Sequence, residues 1–155
     1  MDLEAIEQIK QVKYRYFKAL DLKQWEEFGG CLAEDVLADY GTHAMGEPLR
    51  FTGRDAVVSY LSQHLPETVT TLHVAAHPVI DVDGDRASAS WCFQDTVIVT
   101  DADLTIQGGG YYADEYRREA SGRWQITTTR YERVFEVMTS HADTPSLRML
   151  ANRWA

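Results

Sequence analysis

The stretch Ala87-Ser88-Ala89-Ser90-Trp91-Cys92-Phe93-Gln94-Asp95-Thr96-Val97-Ile98-Val99-Thr100 puts Ala87, Ala89, Trp91, Phe93, Val97 and Val99 on one face, with Asp95 as the one acid among them. Alternation at period two marks a β-strand with one buried face. Comparable runs extend from Val69 to His77, from Gly109 to Glu119 and from Arg123 to Met138. The longer ones span about 10 to 16 residues against a usual ~5–6, which predicts a strongly curved antiparallel sheet. Val82-Asp83-Gly84-Asp85 and Ser121-Gly122-Arg123 read as hairpin turns, and Gly108-Gly109-Gly110 as a bulge or bend. A shorter strand is expected over Val36 to Tyr40.

Ahead of these runs the period changes. Ile6, Ile9, Val12, Tyr16 and Leu20 recur at three- and four-residue steps, predicting an amphipathic helix from Leu3 to Leu20. A second helical pattern carries Leu22, Trp25, Phe28 and Leu32, and a third runs from Gly53 through Val57, Val58, Leu61 and Leu65 to Pro66. Helices first and a meander afterwards predict an α+β fold whose curved sheet wraps around the N-terminal helices. The 155 residues fit one domain, with a body over 1–140 and a tail over 141–155. That tail is expected to form a short helix or to pack against a neighbouring subunit.

A net charge of -9 and a pI near 4.9 oppose binding to nucleic acid or to anionic membranes, which attract basic surfaces. The start, Met1-Asp2-Leu3-Glu4, is acidic and runs straight into a helix, so a cytoplasmic protein is expected. Cys31 and Cys92 form no CxxC pair and read as buried small hydrophobes. GxSxG, P-loop and dinucleotide-binding patterns are absent, which removes support for serine hydrolases, nucleotide enzymes and Rossmann oxidoreductases.

Asp21 falls where the first helix ends, and the dipole disfavours a carboxylate there by ~0.3–1 kcal/mol. It is either the N-cap of the next helix or an acid with a partner. His73 shares a strand face with Val69, Thr71, Ala75 and His77, opposite Thr70, Leu72, Val74 and Ala76. His73 and His77 stand roughly 13 Å apart along a strand, too far to chelate together, so no metal is expected. If the fold joins Asp21 to His73, the carboxylate fixes the imidazole tautomer and raises its basicity. Tyr16 and Tyr40 carry phenols able to polarise a carbonyl or protonate a leaving hydroxyl, and are otherwise buried tyrosines. Asp95 requires an ion-pair partner, hydrogen bonds, a proton or a wet pocket, because isolated buried charge is too costly. Arg133 or Arg130 is a candidate partner, or a binder for an anionic substrate end.

The stretches Lys13 to Trp25, Thr71-Leu72-His73, Trp91 to Asp95 and Thr129 to Glu136 resemble the bacterial bile acid 7α-dehydratases, members of the scytalone dehydratase and SnoaL-like group. The likeness covers Ile6 to Glu136. It implies the cone-shaped α+β barrel shared with nuclear transport factor 2, an Asp21–His73 dyad, and Tyr16, Tyr40, Asp95 and Arg133 around it. It also implies a cofactor-free lyase that removes water from a hydroxylated steroid-like or polycyclic substrate, in a homo-oligomer of two or three subunits. The loop from Gly41 to Arg50 is longer than the family pattern, and the tail after Glu136 departs from it. An isomerase or dehydrohalogenase would reuse the same dyad, and a non-catalytic small-molecule-binding domain would not need it.

Overall fold

The computed structural model describes residues 1–41, 44, 46 and 49–155. Half of the loop from Gly41 to Arg50 therefore lies outside the described residues. Helix α1 (Leu3–Asp21) starts where the Asp2 side chain accepts from the Ala5 amide at 2.9 Å, satisfying one of the free N–H groups of a first turn. Its apolar stripe, with Ile9, Val12, Tyr16 and Phe17, is buried.

Helix α2 is shorter than the apolar spacing predicts. It covers Trp25–Gly30, and Leu32 belongs to strand β1 (Leu32–Tyr40) instead. Gly29 and Gly30, poor helix formers, end the helix and release Leu32 to pair with Ile126. Strand β2 (Leu49–Thr52) and helix α3 (Arg54–His64) follow. Then come β3 (Val69–Asp83), β4 (Arg86–Val99), β5 (Leu104–Arg118) and β6 (Trp124–Ser140).

The strands form one six-stranded sheet in the order β2-β1-β6-β5-β4-β3. Every pair is antiparallel except β1 with β6, a parallel pair that the long intervening chain permits. The sheet is therefore mostly rather than wholly antiparallel, and it stays open between β2 and β3 instead of closing into a barrel. Register shifts occur between Gly109 and Gly110 on β5, as the glycine run predicts, and between Ala76 and Val79 on β3. At Gly110 an added Cβ would run into the Glu132 carbonyl oxygen. A side chain there would abolish the bend.

Trp91, Phe93, Tyr112 and Tyr116 are buried on the inner face of the sheet, where Trp91 meets Tyr14 and Tyr112 meets Phe17 of α1 edge-on. Burying each such side chain contributes about 1.5–3 kcal/mol. On β3 the greasier face points outward: Leu72 and Val74 are 64% and 53% exposed, while the face carrying His73 turns inward. The tail forms no helix beyond the short 3-10 turn at His141–Asp143. Pro145 interrupts it, and its end is held instead by Thr70 donating to Asn152 and by Lys23 over the Trp154 ring. Cys31 is buried and Cys92 half-buried, both as free thiols. Among the described residues no helix is long and apolar enough to cross a membrane.

Candidate active site

Asp21 is the last residue of α1 and does not cap α2, whose N-terminal flank is Gln24. Its carboxylate accepts three hydrogen bonds, from Thr71 Oγ1 at 2.8 Å, from the His73 amide at 2.8 Å and from His73 Nδ1 at 2.6 Å. Together these offset the unfavourable dipole at a helix C-terminus. A carboxylate only accepts, so Nδ1 carries a proton, and the neutral tautomer that this selects has its lone pair on Nε2. The Phe17 ring stacks on the imidazole with centroids 5.1 Å apart and planes 3° from parallel, fixing its tilt. Both side chains are about nine-tenths buried, at 11% and 10% exposed.

His73 faces Asp95 across the β3–β4 ladder. The His73 amide points away from β4 to Asp21, so this is a non-hydrogen-bonded pair, the kind whose side chains approach closest. Nε2 lies 3.8 Å from Asp95 Oδ2, near but not hydrogen-bonded. The Asp95 carboxylate takes a two-pronged grip from Arg133, Nη1 at 2.9 Å and Nη2 at 2.6 Å, and Arg133 Nε meets Glu136 at 2.7 Å. Asp95 thus both lines the cavity and pairs with an arginine. Arg130 is exposed and takes no part.

On the Asp95 side His73 borders a cavity of about 150 Å³ lined also by Tyr16, Tyr40, Tyr112, Tyr131, Leu20, Leu61, Leu65, Val97, Ile106, Tyr60 and His64. The Tyr16 and Tyr40 hydroxyls are hydrogen-bonded at 2.8 Å. Burial, and then its phenol neighbours Tyr40 and Tyr112, hold Tyr16 well above the ordinary phenol range. Burial raises Tyr40 too, with the Tyr16 hydrogen bond opposing it, and pushes Tyr131 up to about 12 against the pull of Arg133. All three stay protonated near neutral pH and remain hydrogen-bond donors. A wider groove of about 1100 Å³ runs past Trp25, Arg54 and Arg123, but none of the dyad or the tyrosines lines it.

Of the six residues that the sequence points to, Tyr16, Tyr40, His73, Asp95 and Arg133 line this one cavity, while Asp21 sits behind His73, bonded to its Nδ1, and does not line it. Tyr112, Tyr131 and Glu136 were not singled out, although Tyr131 shares a strand face with Arg133 in the sequence pattern. The glycine run predicts a bend that includes Gly108, yet the register shift falls after it. An added Cβ at Gly108 would strike Arg133 Nη1 and come within 2.8 Å of the Phe135 carbonyl oxygen, so its bareness makes room for the guanidinium. Gly108→Ala should therefore expel Arg133 and leave Asp95 unpaired, at a cost of about 3–5 kcal/mol. A shift in the urea midpoint measures it, and an unchanged midpoint would show that the guanidinium has room elsewhere.

The fold is shared with solved structures of low sequence identity. A scytalone dehydratase candidate from Novosphingobium aromaticivorans superposes with a TM-score of 0.77, at 20% identity over 88% of each chain. A hexachlorocyclohexane dehydrochlorinase from Novosphingobium barchaimii gives 0.76 at 13% identity, covering 88% of this chain and 91% of its own. An NTF2-like protein of unknown function from Pseudomonas putida gives 0.69 at 21% identity, covering 85% and 88%. Residues 1–130, the greater part of the chain and all of the dyad's surroundings up to Arg130, match the SnoaL-like domain. The chain belongs to the SnoaL-like domain family, with the NTF2-like α+β fold.

Proposed function

We propose that the protein is a cofactor-independent dehydratase acting on a hydroxylated, ring-based, largely apolar compound in which a carbonyl or enone acidifies a C–H bond. The single observation behind this reading is that the free Nε2 of an Asp21-oriented imidazole and the Tyr16–Tyr40 hydroxyl pair border the same apolar cavity. Nε2 takes the acidic proton as the C–H bond breaks, and its electron pair moves onto the carbonyl oxygen, where a tyrosine hydroxyl hydrogen-bonds the enolate. Asp21 stabilises the imidazolium. As the enolate collapses, the C–O bond breaks, a C=C bond forms, and the leaving hydroxyl takes a proton from the imidazolium or a tyrosine to depart as water. In the latter case the imidazolium reprotonates the tyrosine. Asp95 and Arg133 hold each other beside the base and wall that side of the pocket.

Ligand pockets usually measure ~300–1,000 Å³, so a cavity of about 150 Å³ encloses the reacting ring and leaves the rest of a polycyclic substrate outside it. The same small volume favours one second reading, loss of hydrogen halide from a single-ring compound. The test is to incubate pure protein with 3-oxo-Δ4 steroids bearing a 7-hydroxyl and, in parallel, with chlorinated cyclohexanes. Extended conjugation should produce a new long-wavelength absorbance in the first series, unaffected by chelator. Chloride release alone would move the assignment to a dehydrohalogenase. Tight steroid binding without loss of water, equal in wild type and His73→Ala, would make it a binding domain. Tyr16→Phe and Tyr40→Phe should slow elimination unequally, by ~10²–10³ for whichever hydroxyl touches the enolate oxygen; equal, small losses would remove both from the mechanism.

A further inference from the structure

Behind the tyrosines lies a charge pair that the proposed reaction does not use. Lys13 projects from α1 and Asp114 from β5, their charged groups 2.7 Å apart and both side chains fully buried. Asp114 also accepts from Thr129 at 2.8 Å and from the Tyr116 hydroxyl at 2.9 Å. The Lys13 ammonium sits 3.6 Å from the centre of the Tyr112 ring and 4.7 Å from that of Tyr16. Tyr16 and Tyr112 line the cavity, whereas Tyr116 and Thr129 do not. The layers therefore run from cavity to tyrosine rings, to ammonium, to carboxylate. The positive end of the pair faces the cavity.

Desolvating two ions costs several kcal/mol each, and apolar side chains of similar size are often at least as stable in such a place. Folding alone gives little reason for a lysine here. We propose that Lys13 is a positioning residue for the site: its ammonium, anchored from behind by Asp114, orients Tyr16 and Tyr112 and makes that end of the cavity favour an oxyanion. The field acts through the rings in a water-poor interior, where charge interactions are strongest. It adds to the direct hydrogen bond from a hydroxyl rather than replacing it. This inference rests on the proposed function only in taking the Tyr16–Tyr40 end as the place where negative charge appears.

The test uses 4-nitrophenolate as a stable oxyanion and 4-nitrotoluene as an uncharged counterpart of similar shape. Lys13→Met alone strands Asp114 and can simply fail to fold, so the variant is Lys13→Met combined with Asp114→Asn, which removes both charges at once. Affinities for both probes are measured with the full chain, wild type and double variant, after circular dichroism confirms equal folding. The ratio of phenolate to nitrotoluene affinity should fall roughly three- to tenfold in the double variant. If both affinities change in proportion, or neither changes, the pair is structural and the inference is overturned. Wild type that binds neither probe overturns it along with the reading of the cavity. A wild type that eliminates nothing, yet loses its phenolate preference in the variant, sinks the dehydratase reading and leaves the role of Lys13 standing.

Discussion

His73→Ala is expected to lower the elimination rate by ~10²–10⁴, the usual worth of a positioned general base, with folding nearly unchanged. Little else in the cavity can stand in for it. Asp95 is the nearest acid, but both its oxygens are held by Arg133, at 2.9 and 2.6 Å. His64 also borders the cavity, but its Nδ1 lies 2.8 Å from the Tyr60 carbonyl, and its ring stacks on Tyr60 with centroids 3.9 Å apart. Initial rates on a substrate found by the steroid screen, compared at saturating and limiting concentration, give the effect on kcat and on kcat/KM. Loss in kcat/KM with kcat preserved would mean that His73 binds substrate rather than moving its proton. Activity within tenfold of wild type would reject it as the base.

Asp21→Asn is expected to cost a comparable factor by a different route. The carboxylate accepts on both oxygens, from Nδ1 and Thr71 on one and from the His73 amide on the other. An amide has one oxygen and one NH2 group, so it can serve one side only. If the oxygen keeps the backbone amide, the NH2 faces Nδ1, which must then become an acceptor. The proton moves to Nε2, and the base is occupied before substrate arrives. If the oxygen keeps Nδ1, the NH2 abuts the His73 N–H and a largely buried donor is unsatisfied, costing about 1–3 kcal/mol of stability. Kinetics and urea denaturation on one variant separate the routes, the first slowing the reaction and the second lowering the midpoint. A variant unchanged in both would remove Asp21 from the site.

Much of this arrangement was written in periodicity. The three- and four-residue spacing along α1 and the alternation from Val69 onward each depend on local geometry, so they mark those elements without knowledge of partners. The start of β1 depends on something else. Leu32 continues an apolar helical spacing, and it becomes a strand residue because a partner far along the chain, Ile126, lies alongside it. No local rule contains that pairing, nor its parallel sense. Among site residues, Asp95 was conspicuous because it interrupts an apolar face. Lys13 breaks the α1 stripe in the same manner, four residues after Ile9 and three before Tyr16, and Asp114 does so between Tyr112 and Tyr116. Applied evenly, the rule that found Asp95 finds this pair too. Gly108 gave no equivalent signal, since the space it leaves matters only once Arg133 is in place.

His73 stands on β3, the last strand in the sheet order, and its backbone N–H points off that edge into the Asp21 carboxylate. Two residues past the helix end, Lys23 donates to the Val69 carbonyl on the same strand at 2.8 Å. Bare strand edges recruit other chains, and natural sheets keep theirs covered. The acid that orients the imidazole is thus also part of what keeps this edge from acting as a template. Position 21 therefore has a structural duty independent of the proposed chemistry, and a lineage that abandoned that chemistry would still be under pressure to keep an acceptor there. An Asp in that place is therefore weaker testimony to catalysis than the histidine beside it, whose ring has no such second duty.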